Sequence, residues 1–316
     1  MNARLAAAYI RREYPSRIAP PVACRLVRAY TNDVYAVTSG SGERFALKVY
    51  GAGWRTASEV RYEADLMAHL AARGLPVPLP LARTDGDILG RIDTPEGSRL
   101  AVLSAWAPGE KPRPPFSPAL YVRFGEAIAR MHALSDDFAS PHERRPIDLR
   151  FLIDAPLVTI LPRLADPADR ADLSALAARL RGRIATFAAE GLDWGPIHGD
   201  ASMDNLHVTV DGTIVLFDFD SGGPGWRAAD LQGWAADPEH REKWRAFRKG
   251  YTAVRPEFAP ANWRAAPWLT AATDLWGIQV DLENRVLHQG PEPTARFLSE
   301  RVRSLREREP ALLAAG

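Results

Sequence analysis

The run His198-Gly199-Asp200-Ala201-Ser202-Met203-Asp204-Asn205, followed by a β-rich stretch ending Phe217-Asp218-Phe219-Asp220, constrains this chain more than any other segment. It places a carboxylate, a carboxamide and a second carboxylate at fixed points around one hairpin. The hairpin is read from Leu206-His207-Val208-Thr209-Val210 and Thr213-Ile214-Val215-Leu216-Phe217, joined by Asp211-Gly212, a strong reversal signal. Such a turn would bring Asn205 and Asp218 together at its open end. Phosphoryl transfer asks little covalent chemistry of a protein; it needs a carboxylate to orient the accepting hydroxyl and oxygen ligands to hold Mg2+ against the phosphates. Asp200 suits the first task. Asn205 and Asp218 suit the second, because Mg2+ prefers hard oxygen donors and takes only one or two from protein.

Length and composition set the bounds around that site. A chain of 316 residues, 46% of them hydrophobic, suits one two-lobed unit or two domains with ample core. A net charge of +1 supplies no basic field for nucleic acid. Cys24 is the only cysteine, which excludes an intrachain disulfide and suits a reducing compartment. The segment from Met1 to Tyr14 mixes Arg4, Arg11, Arg12 and Glu13 with Leu5, Tyr9 and Ile10 and lacks the apolar run of a signal peptide. No segment approaches the ~20 apolar residues of a membrane span. A cytoplasmic location, with no nucleic-acid or membrane partner, is the expectation.

Three strands are predicted at Val22 to Tyr30, Val34 to Ser39 and Arg44 to Tyr50. The third embeds Lys48 in the apolar run Phe45-Ala46-Leu47-Lys48-Val49, a lysine that either alternates onto a solvent face or has a partner. The next segment supplies the partner. Thr56-Ala57-Ser58-Glu59 reads as a capping box, after which Val60, Glu63, Met67 and Leu70 recur at helical spacing until Gly74 and Pro76. Glu63 shares the apolar stripe, where an unpaired carboxylate is costly, so Lys48 and Glu63 are natural partners. Glu59 is explained by the cap. Further strands are predicted at Ile88 to Ile92 and Arg99 to Ser104, and Trp106 to Pro115 reads as a connector between a small β-rich lobe and a larger helical one. Helices follow at Leu120 to Leu134, at Asp169 to Gly191, and at Ala295 to Glu309.

Taken together these pieces resemble the aminoglycoside phosphotransferase and choline kinase superfamily. They are Lys48, Glu63, the H-G-D-x-x-x-x-N loop from His198 to Asn205, the D-F-D from Asp218 to Asp220, and Asp230-Leu231, in the order that family has. The resemblance implies an α+β, bilobal protein-kinase-like fold: residues 1–103 a nucleotide-binding lobe, 104–115 the hinge, 116–316 the catalytic and substrate-binding lobe. It also implies ATP and Mg2+ as cofactors. By the same resemblance Asp200 is the catalytic base or the residue that orients the accepting hydroxyl, Asn205 and Asp218 bind Mg2+, Lys48 contacts the α and β phosphates and Glu63 holds Lys48. Main-chain groups of Leu103, Ser104 and Trp106 would hold the adenine, His198 and Asp230 would support the loop, and Asp220 would assist the metal or orient its neighbours. His207 and Asp204 are read as solvent-facing. The turn Tyr30-Thr31-Asn32-Asp33-Val34 lacks the glycines of a protein kinase's phosphate loop, which favours the small-molecule kinases over ordinary protein kinases.

The acceptor is read from what surrounds the site. From Arg241 onward Lys and Arg outnumber Asp and Glu, which speaks against a polycationic aminoglycoside. The carboxylates there or nearby are Asp237, Glu239, Glu257, Asp274, Asp281 and Glu283, with Asp274 and Trp276 as substrate-facing candidates. Trp263, Trp268 and Trp276 are core residues or an aromatic wall. Ser221 to Arg227 reads as a tight turn facing the acceptor, with Trp226 and Arg227 as candidates. A hydroxyl on a small molecule or natural product is the leading acceptor, and Ser or Thr of a peptide the alternative. A nucleotide-binding module without catalysis, and a metallohydrolase built on His198, Asp200, His207, Asp218 and Asp220, are the readings from other classes.

Overall fold

The computed structural model describes residues 2–231, 240–289 and 292–315, without the side chains of 285–289, 292–295 and 308–315. In chain order the helices are α1 (Ala3–Glu13), α2 (Ala57–Ala72), α3 (Pro118–Leu134), α4 (Ala155–Ile160), α5 (Pro167–Ala189), α6 (Arg241–Val254), α7 (Pro260–Gln289) and α8 (Glu292–Ala315). The strands are β1 (Ala23–Ala29), β2 (Asn32–Thr38), β3 (Arg44–Tyr50), β4 (Gly90–Thr94), β5 (Gly97–Ala105), β6 (Trp194–Ile197), β7 (Leu206–Val208), β8 (Ile214–Leu216) and β9 (Gly223–Trp226). They divide between two compact units. One comprises Met1–Glu110, Ala139–Arg144 and His207–Phe217; the other comprises Lys111–Phe138, Arg145–Leu206 and Asp218–Gly316.

The first unit is built on a five-stranded antiparallel sheet in the order β1-β2-β3-β5-β4. One face packs Tyr35, Val37, Leu47, Val49 and Leu103 against Tyr9, Ile10 and Tyr14 at the N-terminus. Helix α2 forms because Thr56 Oγ1 accepts from the Glu59 N–H at 3.2 Å while Glu59 Oε2 accepts from the Thr56 N–H at 2.9 Å, the reciprocal capping box. Its buried stripe includes Val60, Glu63, Met67 and Leu70.

Strand boundaries depart from the sequence reading where side chains bond the backbone. β2 begins at Asn32 rather than Val34, since Asn32 Oδ1 accepts from the Gly51 N–H at 3.1 Å and Asp33 pairs with Arg99 at 2.7 Å. β4 starts at Gly90, two residues beyond Ile88. The hairpin strands β7 and β8 pair with each other but span three residues each, shorter than the five-residue runs that predict them.

The second unit is mainly helical. α3 and α6 pack closely because each presents a glycine at the contact. A Cβ on Gly125 would lie 2.1 Å from the Phe247 carbonyl, and one on Gly250 would lie 1.9 Å from the Val122 carbonyl. That approach sets Tyr251 of α6 beside His132 of α3, with the ring centroids 5.8 Å apart. Strands β6 and β9 form a separate antiparallel pair, Trp194 opposite Trp226 and Ile197 opposite Gly223. No helix among the described residues is long and apolar enough to cross a membrane.

Candidate active site

In the first unit the strand lysine has the partner its position calls for. Lys48 Nζ donates to Glu63 Oε1 at 3.1 Å, and Glu63 is 6% exposed. The Tyr50 hydroxyl donates to the other carboxylate oxygen, also at 3.1 Å. Tyr50 lies two residues from Lys48 and therefore on the same face of β3, a signal the sequence held but did not single out.

The predicted adenine-binding groups are partly committed to the sheet. The Leu103 carbonyl accepts from the Leu81 N–H at 2.8 Å, and the Trp106 N–H donates to the Arg44 carbonyl at 3.3 Å. Ser104 sits opposite Ala46 in the β3–β5 ladder. The Arg44 guanidinium lies 3.9 Å from the Trp106 ring centroid, and the His207 ring lies 6.3 Å from it at a tilt of 45°. His207 is thus half-buried rather than solvent-facing. Its Nδ1 donates to the Ala107 carbonyl at 2.9 Å and its ring meets Phe217 at 4.8 Å.

In the second unit β6 delivers the chain into His198-Gly199-Asp200. Gly199 has φ +77°, and a Cβ there would lie 2.2 Å from the Ser221 carbonyl, so both conformation and space require glycine. The buried Asp230 carboxylate fixes the loop by accepting from the His198 N–H at 2.6 Å and the Gly199 N–H at 2.8 Å. His132 Nε2 lies 3.0 Å from the same carboxylate, and His132 Nδ1 lies 2.8 Å from the Tyr251 hydroxyl.

Protonation follows from burial. Burial drives the His132 imidazole below its ordinary value more strongly than Asp230 raises it, and burial lifts the Tyr251 phenol far above its own. Burial alone would raise Asp230, but the His132 hydrogen bond and the attraction of His132 and His198 hold the carboxyl below the usual range. A neutral imidazole facing a carboxylate carries its proton on Nε2. Its Nδ1 then accepts from Tyr251 O–H. Neither His132 nor Tyr251 was among the sequence candidates, although His132 lies four residues after Ile128 on the apolar stripe of α3, where a histidine is unexpected.

Asn205 is 2% exposed, and its Nδ2 donates to the Asp200 carbonyl at 2.9 Å and to Asp200 Oδ2 at 2.7 Å. The amide nitrogen is thereby used and the carboxamide oxygen is the donor left for a hard cation. Asp200 itself is exposed. Asp218 is half-buried and is the only non-glycine residue with positive φ among those described, at φ 64° and ψ 59°. Holding an aspartate in that conformation costs about 1–2 kcal/mol. One carboxamide oxygen and one carboxylate fit Mg2+, with phosphates and water to complete its shell. Asp220 is buried, and Asp204 is exposed and paired with Lys111 at 2.6 Å. Among the described residues no three His, Cys, Asp or Glu side chains are grouped as a metal cage, so the hydrolase arrangement is not assembled.

The segment predicted to face an acceptor folds otherwise. Gly223-Pro224-Gly225-Trp226 is strand β9 rather than a tight turn, and Trp226 packs edge-on against Trp194 at 5.2 Å. Arg227 is 2% exposed; it donates to Asp136, to Asp193 at 3.2 Å and to Ser135 at 3.3 Å. Its guanidinium belongs to an internal ionic network that Arg255 joins through Asp136 and Asp193. Trp268 is core, and Trp263 packs against Trp244, Tyr251 and Phe258. Trp276 is half-buried and meets Phe151 at 5.3 Å. Asp274 is half-buried, but two residues from Trp276 on α7 it lies on a different face. Asp237 and Glu239 lie outside the described residues.

The whole arrangement has relatives. The profile of the "Phosphotransferase enzyme family" matches residues 23–266. A homoserine kinase of Methylobacillus glycogenes is 31% identical over 264 residues, which span 78% of this chain and 77% of the relative. Among solved structures, a microcompartment-associated aminopropanol kinase superposes with a TM-score of 0.79 at 21% identity, covering 98% of each chain. An amicoumacin kinase in complex with AMP-PNP and Ca2+ superposes with a TM-score of 0.72 at 18% identity, covering 96% of this chain and 94% of that one. The chain therefore belongs to the phosphotransferase enzyme family and is a kinase of protein-kinase-like fold.

Proposed function

We propose that this kinase uses ATP and Mg2+ to phosphorylate the hydroxyl of a small molecule. The observation that carries the reading is the Asp200–Asn205 pair on a loop clamped by Asp230, which presents one exposed carboxylate in a fixed orientation. Relatives whose names state an acceptor include a homoserine kinase, an aminopropanol kinase and an amicoumacin kinase.

Asp200 accepts the proton of the acceptor hydroxyl, its carboxylate oriented by the Asn205 amide bonded to Oδ2. Lys48 binds the nucleotide phosphates, with its ammonium held by Glu63, whose other carboxylate oxygen accepts from Tyr50. The Asn205 carboxamide oxygen and the Asp218 carboxylate would hold the metal. A divalent cation, when bound, neutralises charge on the transferring phosphoryl group.

Transfer of label from γ-labelled ATP, with Mg2+, to amino alcohols, hydroxy amino acids, aminoglycosides and Ser/Thr peptides tests the reading. Label in a small-molecule product, absent in Asp200→Asn, is the expected result. Label in peptides alone would overturn it.

A further inference from the structure

We infer that Arg28, on the edge strand β1, is a second cation for the nucleotide's phosphate chain, set across the sheet from Lys48. The inference rests on the reading of Lys48 as a phosphate ligand and extends that site. The turn Tyr30-Thr31-Asn32-Asp33-Val34 contains no glycine. Glycines in such a turn let backbone N–H groups come close to phosphate oxygens. A turn without them leaves that contact to side chains, and the strand leading into it carries an arginine.

The sheet register puts the two cations on one face. Lys48 pairs with Val34 across β3 and β2, and Val34 pairs with Arg28 across β2 and β1. Residues directly opposite one another in antiparallel strands share a face, so Arg28, Val34 and Lys48 form one row. Two strand spacings, about 10 Å, separate the Arg28 and Lys48 backbones. The row depends on a bulge. Leu26 is opposite Tyr35; the register then shifts, and Arg28 rather than Val27 is opposite Val34. Regular pairing would put Val27 there and turn Arg28 to the other face, where Tyr35 and Leu47 form core. Val27 is 47% exposed, an apolar side chain left outside the pairing.

The two sides of Lys48 differ. Toward β5 the face is covered by α2: Val60 packs with Tyr50, Leu100 and Val102, and Glu63 takes the Lys48 ammonium. Toward β1 Val34 is half-buried and Arg28 is exposed. Arg28 Cζ lies 5.9 Å from the Tyr30 ring centroid, a contact that leaves the guanidinium N–H groups for phosphate oxygens. Among the described residues no carboxylate pairs with Arg28. The hairpin itself has a fixed place at the end of β3. Arg99 donates to Asp33 and to the Tyr50 carbonyl, each at 2.7 Å, and a Cβ on Gly51 would lie 2.4 Å from the Thr31 carbonyl.

Calorimetric binding of MgATP and of adenosine, which lacks the phosphates, tests the inference in the wild type, Arg28→Ala, Arg28→Lys and Arg91→Ala. Arg91 is exposed on β4, the other edge of the same sheet, and controls for the loss of one positive charge. Arg28→Ala should weaken MgATP binding roughly 10- to 100-fold, as expected for loss of charge-assisted hydrogen bonds, and leave adenosine within about twofold. Arg28→Lys, which keeps the charge without the fork, should fall between wild type and Arg28→Ala. Arg91→Ala should match the wild type. A ratio of MgATP to adenosine affinity unchanged in Arg28→Ala overturns the assignment while the Lys48 site stands, and so does an equal fall in Arg91→Ala. A wild type that binds MgATP no more tightly than adenosine overturns it together with the phosphate role of Lys48.

Discussion

His132 Nε2 donates to the Asp230 carboxylate across 3.0 Å, with both side chains closed to solvent. With the His198 and Gly199 N–H groups, Asp230 receives three donors. A buried carboxylate so engaged has one orientation available to it, and so does the backbone just before Asp200. The His198–Asp200 loop is therefore positioned from α3 and α6, elements far from it in sequence.

Asp230→Asn keeps the shape but turns an NH2 group toward a site already holding three donors. We expect a loss of about 2–4 kcal/mol in stability, as for other broken buried charge networks. Tyr251→Phe, which leaves His132 Nδ1 without a donor, should cost less, about 1–2 kcal/mol. Urea unfolding of both variants checks the order; equal midpoints for Asp230→Asn and wild type would show that the carboxylate is not what holds the loop.

Asp200→Asn should preserve ATP binding and lower turnover by roughly two to four orders of magnitude, the range for loss of a positioned base. Nucleotide binding by calorimetry and phosphate transfer under saturating ATP measure the two effects separately. A variant with near-normal turnover would remove Asp200 from this role.

Several of these contacts are legible in the sequence because they join fixed residue types at short spacing. The capping box that starts α2, the Lys48 and Glu63 pairing and the Asp200 to Asn205 interval all arise from local geometry, and each is found where the pattern puts it. Contacts between distant segments are not legible in the same way. His132 and Tyr251 are 119 residues apart, and their meeting depends on Gly125 and Gly250 allowing two helices to touch. Arg227 misleads for the opposite reason: an arginine after a glycine-rich run looks exposed, yet Asp136, Asp193 and Ser135 gather around it from elsewhere in the chain. The strand β9 was hidden too, since glycine and proline argue for a turn unless a close partner strand is already known.

Glu63→Gln removes the charge that fixes the Lys48 ammonium but retains an acceptor for Tyr50. ATP KM should rise about tenfold while acceptor KM changes less than twofold, as expected for loss of a charge-assisted contact. Steady-state kinetics with each substrate varied in turn decides this. An acceptor KM that moves as far as that for ATP would count against a nucleotide-specific role for the pair.

Arg227→Met places an uncharged chain where two carboxylates converge. Because Asp193 and Asp136 are partly exposed and keep Arg255 as a partner, we expect a loss of about 1–3 kcal/mol. Acceptor KM in the folded fraction should stay within twofold of wild type. A large rise in acceptor KM with unchanged stability would return Arg227 to the substrate side.

Arg61 holds Asp87 through two hydrogen bonds, 2.9 and 2.7 Å, and that contact, with lesser help from the Leu89 N–H, brings the Asp87 carboxyl down to about 2. In the unfolded chain an aspartate titrates near about 3.9. The folded state therefore binds the proton less readily, and the pair's contribution is complete above about pH 4 and lost as pH falls toward about 2. Both side chains are about one-third exposed, so solvent screening limits the contribution to under about 1 kcal/mol. Asp87→Asn retains an oxygen for the Leu89 N–H and removes the charge alone. Its unfolding midpoint should lie below that of wild type at pH 6 and converge with it near pH 2, with the gap narrowing in 1 M salt. A gap that is constant from pH 6 to pH 2 would mean that packing at Asp87, rather than its charge, is what Arg61 stabilises.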